Sequence, residues 1–117
     1  MMSEEQTRER ERERESNSLR EFITKLGFEL KNGSNNVYQK YYSKCNKTLE
    51  IELKSDTSKS IIHYQNIGII CDRYTTCDFH QEENKVVLEC VNRLLIAGYF
   101  PENIMLEKQY QVGGKLY

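Results

Sequence analysis

Residues 78–99 constrain this chain more than any other stretch, because every local rule for a helix agrees there. Asp78 is a good N-cap and Gln81 stands at the capping-box position. Glu82 and Glu83 complement the positive end of the helix dipole, and Gly98, with Pro101 just beyond, forms a stop. At about 100° per residue, Val87, Val91, Leu94 and Gly98 share one stripe, widened by Leu88, Cys90 and Leu95, while Lys85, Glu89, Asn92 and Arg93 fall on the other side. A helix of this kind needs a sheet to pack against. Glu89 has Lys85 and Arg93 four residues to either side and reads as a weak surface ion pair. Glu83 projects from the apolar stripe at the first turn, where a carboxylate either favours the helix dipole or has a cation to meet.

After the helix, Pro101-Glu102-Asn103 leads into an expected half-buried strand over residues 104–112. Ile104, Leu106, Tyr110 and Val112 take one face and Met105, Glu107, Gln109 and Gln111 the other, with Lys108 interrupting the inner set. Gly113-Gly114 is a hairpin-turn signal, yet only Lys115, Leu116 and Tyr117 follow it. A strand and a turn with so little partner strand behind them lead us to expect a piece of something longer.

The part before the long helix reads as a shorter helix and a small sheet. Ser16, Asn17 or Ser18 is expected to cap a helix whose Phe22, Ile23 and Leu26 share a face and which Gly27 ends. Residues 32–36 carry turn chemistry, and strands are expected over 37–42, 48–54 and 60–64. The second is the clearest, since Leu49, Ile51 and Leu53 alternate with Thr48, Glu50, Glu52 and Lys54. Residues 67–71 suit either a further strand or a connector packed under the long helix. Ahead of all this, Arg8 to Glu15 alternates in sign at every residue. Like charges four apart repel and unlike charges three apart attract, so residues 1–16 are expected to be a charged flexible tail or frayed helix ahead of one domain over 17–117.

Composition bounds the function. A chain of 117 residues supports one modest core. No apolar run approaches the roughly 20 residues that span a bilayer, and the N-terminus is too polar for a signal peptide, so a cytoplasmic protein is expected. Cys45, Cys71, Cys77 and Cys90 are then expected to stay reduced. Cys71, Cys77 and His80, with Cys45 as a fourth ligand, form a weaker zinc alternative, because structural zinc sites favour tighter cysteine pairs. Net charge is −2 over residues 3–15, +3 over 19–60 and −2 over 61–117. A pI near 6.1 gives no global attraction to nucleic acid. The basic middle third leaves room for a patch in which Lys40, Lys44 and Lys47, interleaved with Tyr38, Tyr41, Tyr42 and Tyr64, contact phosphates and stack on bases. The same interleaving also describes an ordinary half-exposed sheet. No Gly-x-Ser-x-Gly or Walker-type glycine loop occurs.

The stretch from Cys77-Asp78-Phe79-His80 through Val86-Val87-Leu88-Glu89-Cys90-Val91-Asn92-Arg93-Leu94-Leu95, followed by Gly98-Tyr99, Pro101-Glu102-Asn103-Ile104, Leu106-Glu107-Lys108 and Gly113, resembles the N-terminal nuclease region of type I restriction-enzyme R subunits and of fused restriction-methylase proteins. The resemblance covers about 40 residues well; residues 19–64 are similar to the leader before that core in some members. It implies an α+β chain with a short N-terminal helix, a small antiparallel sheet, and a long helix packed on the sheet followed by a strand. That order makes an incomplete restriction-endonuclease-like core of the PD-(D/E)xK type, with residues 17–75 as leader and 76–117 as the start of the core. The family's Asp and Glu-x-Lys would lie beyond Tyr117, so the chain is expected to carry none of that triad and not to cut DNA alone. Mg2+ is the cofactor expected of the complete domain, because a hard cation on carboxylate oxygens suits phosphodiester hydrolysis. Glu83 is the one catalytic residue the resemblance suggests here, with Glu89 second. DNA, and methylase and specificity subunits, are the expected partners, and self-association through the terminal strand is a further expectation. A small protein-interaction module or truncated remnant, without catalysis, is the competing reading.

Overall fold

The structure is a computed structural model that describes residues 4–55, 59–71, 82–106, 111–112 and 115–116. It is α+β. Helix α1 (Glu4–Lys25) leads into a meander of four short strands, β1 (Glu29–Leu30), β2 (Val37–Tyr42), β3 (Lys47–Glu52) and β4 (Ile61–Ile62), antiparallel throughout in the order β1-β2-β3-β4. A 3-10 helix at Tyr64–Ile67 turns the chain into β5 (Ile70–Cys71), and α2 (Glu82–Ala97) follows. A second 3-10 helix at Pro101–Asn103 precedes β6 (Met105–Leu106), which pairs with β5 in parallel, so α2 is the crossover between them. Last, β7 (Gln111–Val112) and β8 (Lys115–Leu116) pair antiparallel across residues 113–114, where Gly113-Gly114 predicts a hairpin.

Both helices end by the same device. Gly27 and Gly98 each have φ near +101°, a backbone position that a Cβ disfavours. Phe28 N–H then reaches back to the Ile23 carbonyl and Tyr99 N–H to the Leu94 carbonyl, each at 3.0 Å, which satisfies a helix-end acceptor and turns the chain sharply. The short helix expected from Ser16, Asn17 or Ser18 is instead the last part of α1, which runs through those residues without a break. Arg and Glu are both strong helix formers, and three polar residues in the middle add only tenths of a kcal/mol each against them. Leu19 and Ile23 from α1, with Phe28 just after it, enter the core, while Arg10 and Arg14 are exposed.

β2 has the predicted bounds, and β3 shows the predicted alternation, with Leu49, Ile51 and the following Leu53 buried. Register aligns Tyr38 with Ile51 and Ile51 with Ile62, so one face of the sheet is a continuous apolar layer. Leu88, Val91 and Leu95 of α2 join that layer in one core with Phe28, Tyr42, Tyr64, Ile69 and Ile104. The segment 67–71, open in the sequence, proves to contain a strand, because Ile69 and Cys71 are buried while Ile70 hydrogen-bonds to the Ile104 carbonyl at 2.9 Å. Within the predicted strand 104–112, Ile104 is buried and Leu106 half-buried. Tyr110 and Lys108 lie outside the described residues, as do Asp78, Gln81, Cys77 and His80.

The buried face of α2 differs from the sequence wheel. Asn84, Leu88, Val91, Asn92 and Leu95 are buried, whereas Glu83 and Cys90 are exposed and Val87 and Leu94 only half-buried. At 100° per residue the true stripe is rotated by about 70° from the expected one. The reason is that Asn92, expected to face solvent, is inside, as is Asn84. Glu83 therefore projects into solvent from the first turn, not from the apolar stripe.

Candidate nucleic-acid interface

The three lysines singled out in the sequence have separate fates, set by the pleat of β2 and the turn that follows it. Residues 38, 40 and 42 alternate toward α2, and residues 37, 39 and 41 away from it. Lys40 is thus an inward lysine. Its ammonium donates to the Leu26 carbonyl at the end of α1 and to Asn92 Oδ1 of α2 at 2.8 Å, and it lies 5.2 Å from the centre of the Tyr42 ring. Tyr42 donates its hydroxyl to the same Asn92 oxygen at 2.8 Å. Three elements, α1, β2 and α2, meet at this clamp. Burial lowers the Lys40 pKa from its ordinary value, since the charged form loses solvent, and burial with Cys45 beside it raises that of Tyr42. A buried amide oxygen accepting from an ammonium and a phenol explains how Asn92 comes to be inside the core.

Lys44 and Lys47 are exposed around the β2–β3 turn. Residues 43–46 close the turn, with Asn46 at φ 56° and its N–H on the Tyr42 carbonyl at 2.8 Å. The stem of Lys44 runs beside Gly98, where an added Cβ would stand 3.4 Å from its Cδ. Lys47 is in register with Tyr42 and so belongs to the α2 side of the sheet. Lys44 therefore flanks the C-terminal end of α2, Lys47 lies on the same side of the sheet, and Lys40 does not join them. The expected tyrosine surface is also redistributed. Tyr38, Tyr42 and Tyr64 are buried core residues, leaving Tyr41 as the exposed one of the four, its hydroxyl donating to Asn46 at 2.8 Å.

The outer face of the four-stranded sheet is not basic. Register brings Glu29 opposite Gln39 and Gln39 opposite Glu50, with Glu52 opposite Val37 and Ile61. Lys31 and Lys54 neutralise Glu50 and Glu52 at 2.9 and 2.8 Å, and His63 Nε2 lies 3.7 Å from Glu52. A phosphate backbone laid across this face would meet three glutamates, two of them paired with lysines, whereas Lys44 and Lys47 at the β2–β3 turn make no ion pair among the described residues.

Among the described residues, no carboxylate cluster accompanies Glu83. It is exposed, while its neighbour Glu82 pairs with Lys85 at 3.0 Å and Glu89 with Arg93 at 3.7 Å, so the ion pair expected of Glu89 forms on one side only. Glu-x-Lys tripeptides do occur within the chain, at Glu29-Leu30-Lys31, Glu83-Asn84-Lys85 and Glu52-Leu53-Lys54, the last at the end of β3. Hydrogen bonding to Lys54, aided by His63, holds the Glu52 carboxyl below the usual carboxylate range. Its register neighbours are Val37 and Ile61, so no second acid stands across from it. Among the described residues, no three His, Cys, Asp or Glu side chains come together as metal ligands. Cys45 and Cys71 are buried and Cys90 is exposed.

Sequence reasoning missed the pair Tyr99 and Phe100. They are 58% and 53% exposed and lie directly after Gly98, beside Lys44. The signal was present, since two aromatics between a helix-stopping glycine and a proline cannot join the helix stripe. No family model, curated protein or solved structure matches the chain. Among the described residues, no helix is long and apolar enough to cross a membrane.

Proposed function

We propose that this chain is the N-terminal part of the nuclease region of a type I restriction-enzyme R subunit or a fused restriction-methylase. In this reading it contributes a helix and a strand to a restriction-endonuclease-like core that cuts DNA with Mg2+. The observation that carries the reading is the unit from α2 to β6: the residues of the resemblance fold as one helix packed on the core and one strand entering a parallel pair. That order is what the family's core requires at this point. The metal-binding Asp and Glu-x-Lys are assigned to polypeptide following Tyr117, and Glu83 is retained as the acid the core helix would offer them. No hydrolytic step is assigned to the described residues. DNA and the methylase and specificity subunits are partners of the whole assembly.

The test compares two purified proteins on supercoiled plasmid with and without Mg2+: the 117-residue chain, and the same reading frame continued past Tyr117. Cleavage by the longer protein only, lost in its Glu83→Ala variant, is the expected result. Robust cutting by the 117-residue chain would overturn the assignment of the ligands. A stop codon after Tyr117 would favour the reading as a small interaction module.

A further inference from the structure

We infer that the C-terminal end of α2 and the β2–β3 turn form one surface that binds unpaired nucleotides, with Tyr99 and Phe100 stacking on bases and Lys44 and Lys47 contacting phosphates. The inference deepens the DNA-directed reading and rests on it only for the choice of DNA as the strand.

Three observations converge on it. The first is exposure without slack. Ile96, Tyr99 and Phe100 are 50%, 58% and 53% exposed, an apolar patch of three large side chains within five residues. The backbone that carries the two rings is nevertheless fixed at both ends. Tyr99 N–H bonds to the Leu94 carbonyl at 3.0 Å, and the Phe100 carbonyl accepts from Asn103 N–H at 3.0 Å ahead of a buried Pro101. Rings presented from a fixed backbone lose little freedom on stacking.

The second is charge. The stem of Lys44 runs beside Gly98, 3.4 Å from where a Cβ there would stand, next in sequence to the rings, and Lys47 sits across from Tyr42 on the α2 side of the sheet. Neither makes an ion pair among the described residues, unlike Lys31, Lys54 and Lys85. Glu102, two residues past Phe100, is directed to Gly68, about 4.0 Å from where a Cβ there would stand, and Glu89 is held by Arg93. The third is preorganisation. The Asn92 clamp with Lys40 and Tyr42 ties β2 to α2 six residues before Gly98, so turn and helix end keep one spacing. Aromatic faces beside cations accept any base and track a backbone, which is how single strands are bound without sequence preference. A duplex hides its base faces and would use the lysines only.

The experiment is fluorescence anisotropy of the 117-residue chain with a labelled oligothymidine and with a duplex of equal length, over a range of salt. The expected result is tighter binding of the single strand. Tyr99→Ala/Phe100→Ala should weaken it about five- to a hundredfold per stacked base. Lys44→Ala/Lys47→Ala should flatten the slope of log K against log salt by about 1.4. Lys31→Ala, with its lysine already paired, serves as the matched control and should change neither. All these side chains are exposed, so unchanged circular dichroism and melting are expected. Equal binding of duplex and single strand with the aromatic pair dispensable overturns the inference, as does absence of binding to either at low salt, which would return the surface to a protein partner. If the longer polypeptide fails to cleave while the single strand binds as described, the nuclease reading falls and this one stands. The reverse outcome separates them equally well.

Discussion

The two faces of β2 use the same residue types for opposite ends. On the inward face, Tyr38, Lys40 and Tyr42 lie against Leu49, Ile51 and α2, and their polar atoms find fixed partners in Asn92 and the Leu26 carbonyl. On the outward face, Gln39 and Tyr41 lie among Glu29, Thr48 and Glu50, with pairs that water screens. A lysine facing inward is a structural clamp and a tyrosine facing inward is core; lysines four and seven positions on from Lys40, at the turn and the start of β3, are exposed and free to meet a ligand. Basic and aromatic composition along a strand therefore says little about binding until the pleat assigns each side chain to a face.

The largest effect that distinguishes the faces is loss of core volume. Ile51→Ala and Leu49→Ala, at positions with no exposed surface, should each lower the unfolding free energy by about 2–5 kcal/mol, read from urea midpoints at unchanged slope. Thr48→Ala, next to Leu49 on the same strand but on the wet face, should stay within about 0.5 kcal/mol. Equal losses at positions 48 and 49 would mean that the outer face is also covered.

Next comes the clamp. Asn92→Leu removes the acceptor of both Lys40 and Tyr42, leaving an ammonium and a phenol short of partners in a half-buried place, and should destabilise by about 2–3 kcal/mol. Adding Lys40→Met to that variant should recover part of the loss, because an apolar side chain there has nothing to satisfy. A double-mutant cycle that shows strict additivity would remove the clamp from the account.

How much of this was legible follows from the range of each interaction. The bounds of β2, the alternation of Leu49, Ile51 and Leu53, and the stops at Gly27 and Gly98 rest on neighbours a few residues apart, and sequence reading placed them well. The rotation of α2 was not legible, because Asn92 is buried on account of Lys40, 52 residues earlier. Glu83 was misplaced by the same error. The parallel pairing of β5 with β6 depends on the crossover through α2, which no local signal fixes. Lys44 and Lys47 were identified by composition, but Tyr99 and Phe100, which follow the glycine beside Lys44, come from the other end of the chain and were not.

Glycine substitutions give a smaller contrast. Gly27 and Gly33 both have positive φ, so alanine at either should cost about 1–2 kcal/mol from the left-handed backbone alone. Gly33, in the β1–β2 turn, has nothing within 4 Å of a new Cβ, whereas at Gly27 the Cβ would stand 3.1 Å from Lys40 Nζ, on the clamp itself. Gly27→Ala should therefore be the worse of the two in thermal melts. Combined with Lys40→Met it should fall toward the Gly33→Ala value, and failure to do so would separate Gly27 from the clamp.

The smallest expected effect belongs to the outer face and depends on acid. Glu52 is held below the ordinary carboxylate value by its hydrogen bond to Lys54, with His63 contributing. A carboxyl whose folded pKa is depressed stabilises the fold above its unfolded value, near 4.5, and that contribution disappears as pH falls through the lower folded value. Glu52→Gln should therefore be less stable than the parent at pH 7 by under about 1 kcal/mol, as for exposed pairs generally, and the gap should narrow as pH falls through the folded value. Over the same acid range Asn92→Leu should keep its full deficit, since an amide does not titrate and a lysine ammonium stays charged throughout. Urea midpoints for both variants at pH 7, 5 and 3 would show one gap closing and the other constant. Two gaps that close together would mean that the inward clamp is carried by a carboxylate and not by the asparagine.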